Sequence, residues 1–184
     1  MELNSLSDVL VEELADLYSA EQQPADAMPK MAAASHSYEL RDAIESHLEE
    51  TRGHILRLEQ AFGEIGMETI PPHTCKAMRG LIQEAGDTIK ATGDPVAIDA
   101  ALIGAAQRIE CYEIAGYGTA RALADELALR VASSLLEQTL DEESKANKLL
   151  SKLATGGLLG GGINRLAATR GDNALEPDEA ATSA

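Results

Sequence analysis

Two helix-like segments of this chain carry carboxylates where an apolar core stripe should run, and two further segments repeat the pattern. On the first, Leu10, Leu14, Leu17, Glu21, Met28 and Met31 share one face. On the second, Leu40, Ala43, His47, Glu50, His54 and Ala61 lie on or beside one face. The third carries Ile103, Ala106, Glu110, Glu113 and Tyr117, and the fourth Leu136, Leu140, Glu143, Asn147, Leu150 and Ala154. Burying one unpaired carboxylate costs several kcal/mol or forces it to stay protonated. Four helices doing so toward a common axis make sense if cations sit there, because a pair of divalent ions neutralises the cluster. The competing reading is that each glutamate is an ordinary solvated residue on a helix face.

The expected fold is all-α. One Phe, four Tyr and no Trp leave the core to Leu, Ile, Met and Ala, a composition that favours helix over sheet. Ser5 and Asp8 form a capping box for a first helix running to about Ala34, with Pro24 and Pro29 inside it as potential bends. After a short connection at Ser35 to Ser37, a second helix runs from Tyr38 to Ile65, capped by Gly66. A shorter helix from Cys75 to Ala91 forms the body of a long crossover. Asp94 as N-cap and Pro95 in the first turn open the third long helix, which reaches about Leu123. A turn near Asp125 leads into the fourth, ending near Ala154. Two hairpins joined by one long crossover is the ferritin-like form of a four-helix bundle. The expected division is a bundle over residues 1–155, then a glycine-rich linker and an acidic disordered tail over 156–184.

Hairpin arithmetic places the acidic groups at one level. Glu21 lies 14 residues before Ser35 and Glu50 lies 15 after it, so folding there sets them side by side. Glu110 lies 15 residues before Asp125 and Glu143 lies 18 after it, a looser match. Glu113 rivals Glu110 as the third-helix ligand. Glu50 and His54, four apart, can point at one ion. The Glu-x-x-His spacing of di-iron bundles is missing, and the fourth helix offers Glu143 and Asn147 with no histidine. Carboxylates with imidazole suit iron or manganese, with zinc or magnesium as alternatives. His47 reads as a buried or capping histidine, Met28 and Met31 as core filling, and Cys111 as a small buried hydrophobe. Tyr18, Tyr112 and Tyr117 read as core-edge residues bonded to carboxylates.

The net charge of −16, from 31 acidic against 15 basic residues, disfavours nucleic acid and anionic membranes as partners. Cys75 and Cys111 stand in no metal-type spacing, which suggests reduced thiols and a cytoplasmic protein. No leader and no apolar run of membrane-spanning length is expected. No phosphate-binding glycine loop or nucleophile elbow is evident.

The strings ELADLYSAEQQ, MPKMA, HLEETRGHILRLEQAF, AAQRIECYEIAGYGTARALA and LLEQTLDEESKANKLL resemble the YciE/YciF family of bacterial ferritin-like proteins, from about Leu6 to Ala154. The resemblance implies a bundle holding two divalent metal ions, iron first among them, as a homodimer tied to bacterial stress responses; it supplies no reaction. The matched positions are Glu21, Glu50, His54, Glu110, Glu113 and Glu143. Pro24, Cys111 and Asn147 depart from the family pattern, where an apolar residue, His and Asp are common. Three functions are open on this reading: an oxygen- or peroxide-reactive di-metal protein, a structural or interaction dimer without turnover, and an iron-storage cage.

Overall fold

The computed structural model describes residues 2–157 and 160–170. Six helices follow in order: α1 (Leu6–Ala34), α2 (Tyr38–Glu64), α3 (Lys76–Ile89), α4 (Pro95–Glu126), α5 (Arg130–Thr155) and α6 (Ile163–Arg170). Ser5 accepts from the Asp8 N–H at the start of α1, and Asp94 accepts from the Val96 and Ala97 N–H groups at the start of α4. Those bonds satisfy donors that a first helical turn leaves open. Helix α1 runs unbroken through Pro24 and Pro29. Burial of Pro24, Ala27, Met28 and Met31 on the core side offsets the lost backbone bonds.

Linkers of three residues force α1 against α2 and α4 against α5 as helical hairpins. Helix α2 also packs on α5, and α1 on α4, so the four long helices close a ring in the order α1, α2, α5, α4. The crossover helix α3 lies against α1 and α4. Residue Asp99 of α4 ties the first hairpin down. Its carboxylate accepts from the His36 and Ser37 N–H groups at 2.8 and 2.7 Å, just ahead of α2. Ala128, in the turn between α4 and α5, takes a positive φ of 57°. No helix among the described residues is long and apolar enough to cross a membrane.

The chain does not leave the bundle at Thr155. Gly156 takes a φ of +83°, and a β-carbon there would lie 2.2 Å from the Gly160 carbonyl oxygen. Gly162 is equally tight, 2.4 Å from the Ala154 oxygen. At Gly156 and Gly162, expected to belong to a loose linker, the backbone instead packs too closely for any larger residue. This reversal returns α6 onto α4 and α5, where Ile163 is buried with Leu150 and Ala154. Of the expected tail, residues 171–184 lie outside the described residues.

Two apolar clusters divide the bundle lengthwise. One gathers Met28 and Met31, Leu40 and Ile44, Leu102 and Ile103, with Leu150. The other gathers Leu10, Leu14 and Leu17, Leu58 and Phe62, Tyr117, and Leu136. On every long helix a buried glutamate or histidine falls between the two: Glu21 on α1, His47 and His54 on α2, Glu110 and Glu113 on α4, Glu143 on α5. Leucine walls on both sides lower the local dielectric and strengthen every charge interaction in this layer.

Candidate metal centre

Glu143 stands at the middle of the polar layer. Its Oε1 lies 2.8 Å from His54 Nδ1, and its Oε2 lies 3.4 Å from His47 Nε2. Around each imidazole a second helix adds a carboxylate: Glu21 Oε1 is 3.3 Å from His54 Nδ1, and Glu110 Oε2 is 3.2 Å from His47 Nε2. The result is two triads, Glu21–His54–Glu143 and His47–Glu110–Glu143, each able to offer ligand atoms within 4.8 Å of one another. They share Glu143. All five residues are buried.

Each imidazole is held from its far side by another carboxylate. Glu142 Oε2 lies 3.0 Å from His54 Nε2, and Glu142 is itself bonded by Arg57. Glu50 Oε2 lies 3.1 Å from His47 Nδ1. A carboxylate behind a ligating histidine fixes its tautomer and raises its basicity. Tyr117, fully buried instead of at the core edge, donates to Glu21 Oε1 at 2.6 Å.

Several buried atoms here make no hydrogen bond: Glu21 Oε2, Glu110 Oε2, Glu113 Oε1, both oxygens of Glu143, His47 Nε2 and His54 Nδ1. The imidazole nitrogens sit close to carboxylate oxygens, yet at angles that direct no N–H at them. Buried polar atoms are rarely left so. Imidazole and carboxylate lone pairs converging from four helices fit divalent cations, and the donor set suits iron or manganese.

Proton affinities follow the same geometry. Burial pushes the Glu110 carboxyl up to about 8 against the pull of His47. Burial and the neighbouring charges of Glu21, Glu143 and Glu110 hold Glu113 well above the usual carboxylate range. Glu21 is raised, burial outweighing the nearby His54 imidazole and the bond from Tyr117. Burial opposes charge on His54, but Glu143 and Glu21 outweigh it and raise the imidazole to about 10. His47 is raised further by Glu110, Glu143 and Glu50, again against burial. Glu143, flanked by both histidines, lies below the usual range despite its burial. Without a metal, these shifts favour imidazolium at His47 and His54 beside an ionised Glu143, and the protonated form at Glu110 and Glu113.

The sequence-derived residues divide accordingly. Glu21, His54, Glu110 and Glu143 enter the triads, and Glu113 lies buried beside them, so Glu110 and Glu113 both face the core. Glu50, with a side chain 47% exposed, stays outside the dry layer and holds His47 instead. Asn147 is half-buried and accepts from Gln107 at 3.0 Å. Cys111 is exposed, not a buried hydrophobe; it turns outward toward Asn147, 3.8 Å away. His47, read from sequence as a packing histidine, is a full member of one triad. The signal that reveals it is its seven-residue spacing from His54, which returns a helix to nearly the same face.

A second polar network lies outside this layer. Tyr112 donates to Asp16 Oδ2 at 2.5 Å, the Cys75 thiol donates to Tyr112 Oη, and His73 meets Asp16 Oδ1 at 2.9 Å. It joins the loop before α3 to α1 and α4.

Fold and site together define a ferritin-like four-helix bundle with a histidine–carboxylate core. The chain belongs to the family described as Domain of unknown function (DUF892), whose model matches residues 5–161. It is 43% identical to Protein YciF of Escherichia coli (strain K12) over 154 residues, 84% of this chain and 93% of that protein. The crystal structure of the E. coli stress protein YciF superposes with a TM-score of 0.80, covering 83% of this chain and 96% of that one. YcfI from Rhodopseudomonas palustris, for which a structural role has been suggested, is 39% identical with a TM-score of 0.79, covering 83% and 97%. A ferritin-like, diiron-carboxylate protein from Bacillus anthracis str. Ames shares the fold at 18% identity and a TM-score of 0.63, over 82% of this chain and 99% of that one.

Proposed function

We propose that this protein binds two divalent metal ions, iron or manganese, in its central layer and reacts there with oxygen or peroxide in a stress setting. The observation that carries the reading is the pair of triads sharing Glu143, with their ligand atoms buried and unbonded. Bound there, such ions supply redox equivalents and Lewis acidity to a small oxidant. The residues do the rest. Glu143 would serve both positions, with Glu21 and His54 holding one ion and Glu110 and His47 the other if bound. Glu142 and Glu50 fix the imidazole orientations. Tyr117 keeps its proton, because burial and the Glu21 carboxylate both disfavour phenolate, and so it stays a donor to Glu21. The leucine walls keep bulk water from the Glu21–His54 side of this layer. That E. coli YciF is described as a stress protein supports the setting.

Metal analysis of protein purified without chelator tests this. Iron or manganese retained, or taken up on addition, with oxidant consumption lost in Glu143→Gln, is the expected result. Protein that neither retains nor takes up metal counts decisively against it.

A structural role is the second reading. Two imidazolium groups against the buried carboxylates can balance part of the core charge with no metal at all. On this reading the bundle acts as a homodimer in the cytoplasm without turnover. Sedimentation showing a dimer, together with unchanged stability after chelation, would favour it.

A further inference from the structure

The two triads differ in access. Glu21 and His54 are completely enclosed, whereas a cavity of about 140 Å³ reaches His47 and Glu110 from the surface. Its exposed lining residues, Ser46, Glu50, Lys145 and Leu149, lie on α2 and α5, and half-buried Ala43 and Ala146 line it beside them. Met28 and Met31 from α1 and Ile109 from α4 supply apolar wall, and His47, Glu50 and Glu110 the polar part.

We propose that this cavity binds one neutral, apolar organic molecule about the size of a benzene ring, seated against His47 and Glu110. Its volume is close to the roughly 150 Å³ of an enclosed apolar cavity that accepts benzene, and its wall is mostly apolar around one polar end open to the surface. Methionine suits such a wall, because its flexible thioether adapts to varied shapes and packs on aromatic rings. The lining sets Glu50 and Glu110 against His47 and Lys145, which leaves no net pull on a charged guest, and the net charge of −16 further opposes an anion. The enclosed triad would then serve only as a partner centre, and the guest would meet the His47–Glu110 side. The guest's chemical purpose rests on the metal reading given above; its binding does not.

The test uses the full chain, once chelated and once loaded with redox-inert zinc. Toluene is the probe, with benzoate and benzylammonium as charged counterparts. The methyl NMR signals of Met28 and Met31 should shift with toluene and stay fixed with benzoate. Ala43→Leu and Ala146→Leu, each at a half-buried position, should each weaken toluene about tenfold or more by filling the cavity. Unmoved methionine signals, undiminished toluene binding in a folded filled variant, or preferred binding of either charged probe would overturn the proposal. The methionine shifts need no variant, so a misfolded mutant does not decide the outcome. Cobalt titration of the same samples separates the two readings. Toluene bound without metal uptake removes the di-metal proposal alone, and metal uptake without toluene removes the cavity proposal alone.

Discussion

Glu143 touches both core histidines at once, His54 at 2.8 Å through one oxygen and His47 at 3.4 Å through the other. A single side chain therefore couples the two candidate positions. Glu143→Gln should abolish or severely weaken binding of both ions, whereas Glu21→Gln should weaken only the one held by His54. Isothermal titration with cobalt under anaerobic conditions would read this as loss of both binding phases against loss of one. Equal isotherms for the two variants would contradict the shared-ligand geometry.

The metal-free protein should become less stable as pH rises. Glu110 has its folded value at about 8, above the unfolded range, so its contribution is complete below about pH 4.5 and is lost as pH passes through 8. His54, raised to about 10, contributes fully below about pH 6.5 and loses that contribution toward pH 10. Glu143 has the opposite sign; its contribution is lost only as pH falls below the ordinary carboxylate range. Melting temperatures of chelated protein should therefore fall between about pH 6 and 9, and Glu110→Gln, which mimics the protonated carboxyl, should flatten the slope. A flat or rising profile for the parent protein would exclude this charge arrangement. Metal should reverse the trend, since ligands bind better once deprotonated.

Tyr117 donates its proton to Glu21 at 2.6 Å inside the dry layer. Tyr117→Phe keeps the ring packing but leaves that carboxyl oxygen without its donor. A loss of about 1–3 kcal/mol is expected in chemical denaturation of the metal-free protein. A change within error would mean that Glu21 is satisfied elsewhere.

Asp99 is buried and accepts two backbone N–H groups from the turn between α1 and α2. Its removal strands both donors and releases the turn at His36 and Ser37 from α4. Asp99→Ala should cost about 2–4 kcal/mol, as two bonds to a charged acceptor are lost. Hydrogen exchange should show the amides of His36 and Ser37 opening before the rest of α2.

Ala128 holds a left-handed backbone that disfavours any β-carbon. Ala128→Gly should stabilise the protein by about 0.5–1 kcal/mol, the strain relieved exceeding the added entropy of the unfolded chain. A loss of stability in thermal melts would show that the turn carries no strain.

The helices were legible because their ends carry local chemistry. Ser5, Asp94 and Pro95 act on neighbours two or three residues away, and the observed boundaries follow them closely. The acidic layer was legible for a similar reason: carboxylates within an apolar stripe need no tertiary information to be noticed. Assigning the α2 ligand was harder. Glu50 and His54 look paired by spacing, but His47 and His54 differ by only about 20° around a helix, while Glu50 falls to their flank. Which of the three turns inward depends on the roll of α2 against α1 and α5, a property of the packed bundle. The reversal after Thr155 was hidden for another reason. A run of glycines is compatible with a loose tether and with backbone packed too closely for side chains, and only the contacts of Gly156 and Gly162 separate the two.

The reversal also governs where this polypeptide can be cut. Cleaving after Thr155 would strip Ile163 from Leu150 and Ala154 and leave a greasy scar at one end of the four rods. A fragment trimmed to the apparent end of the bundle should therefore clump in dilute buffer, and a version carried through Arg170 should not.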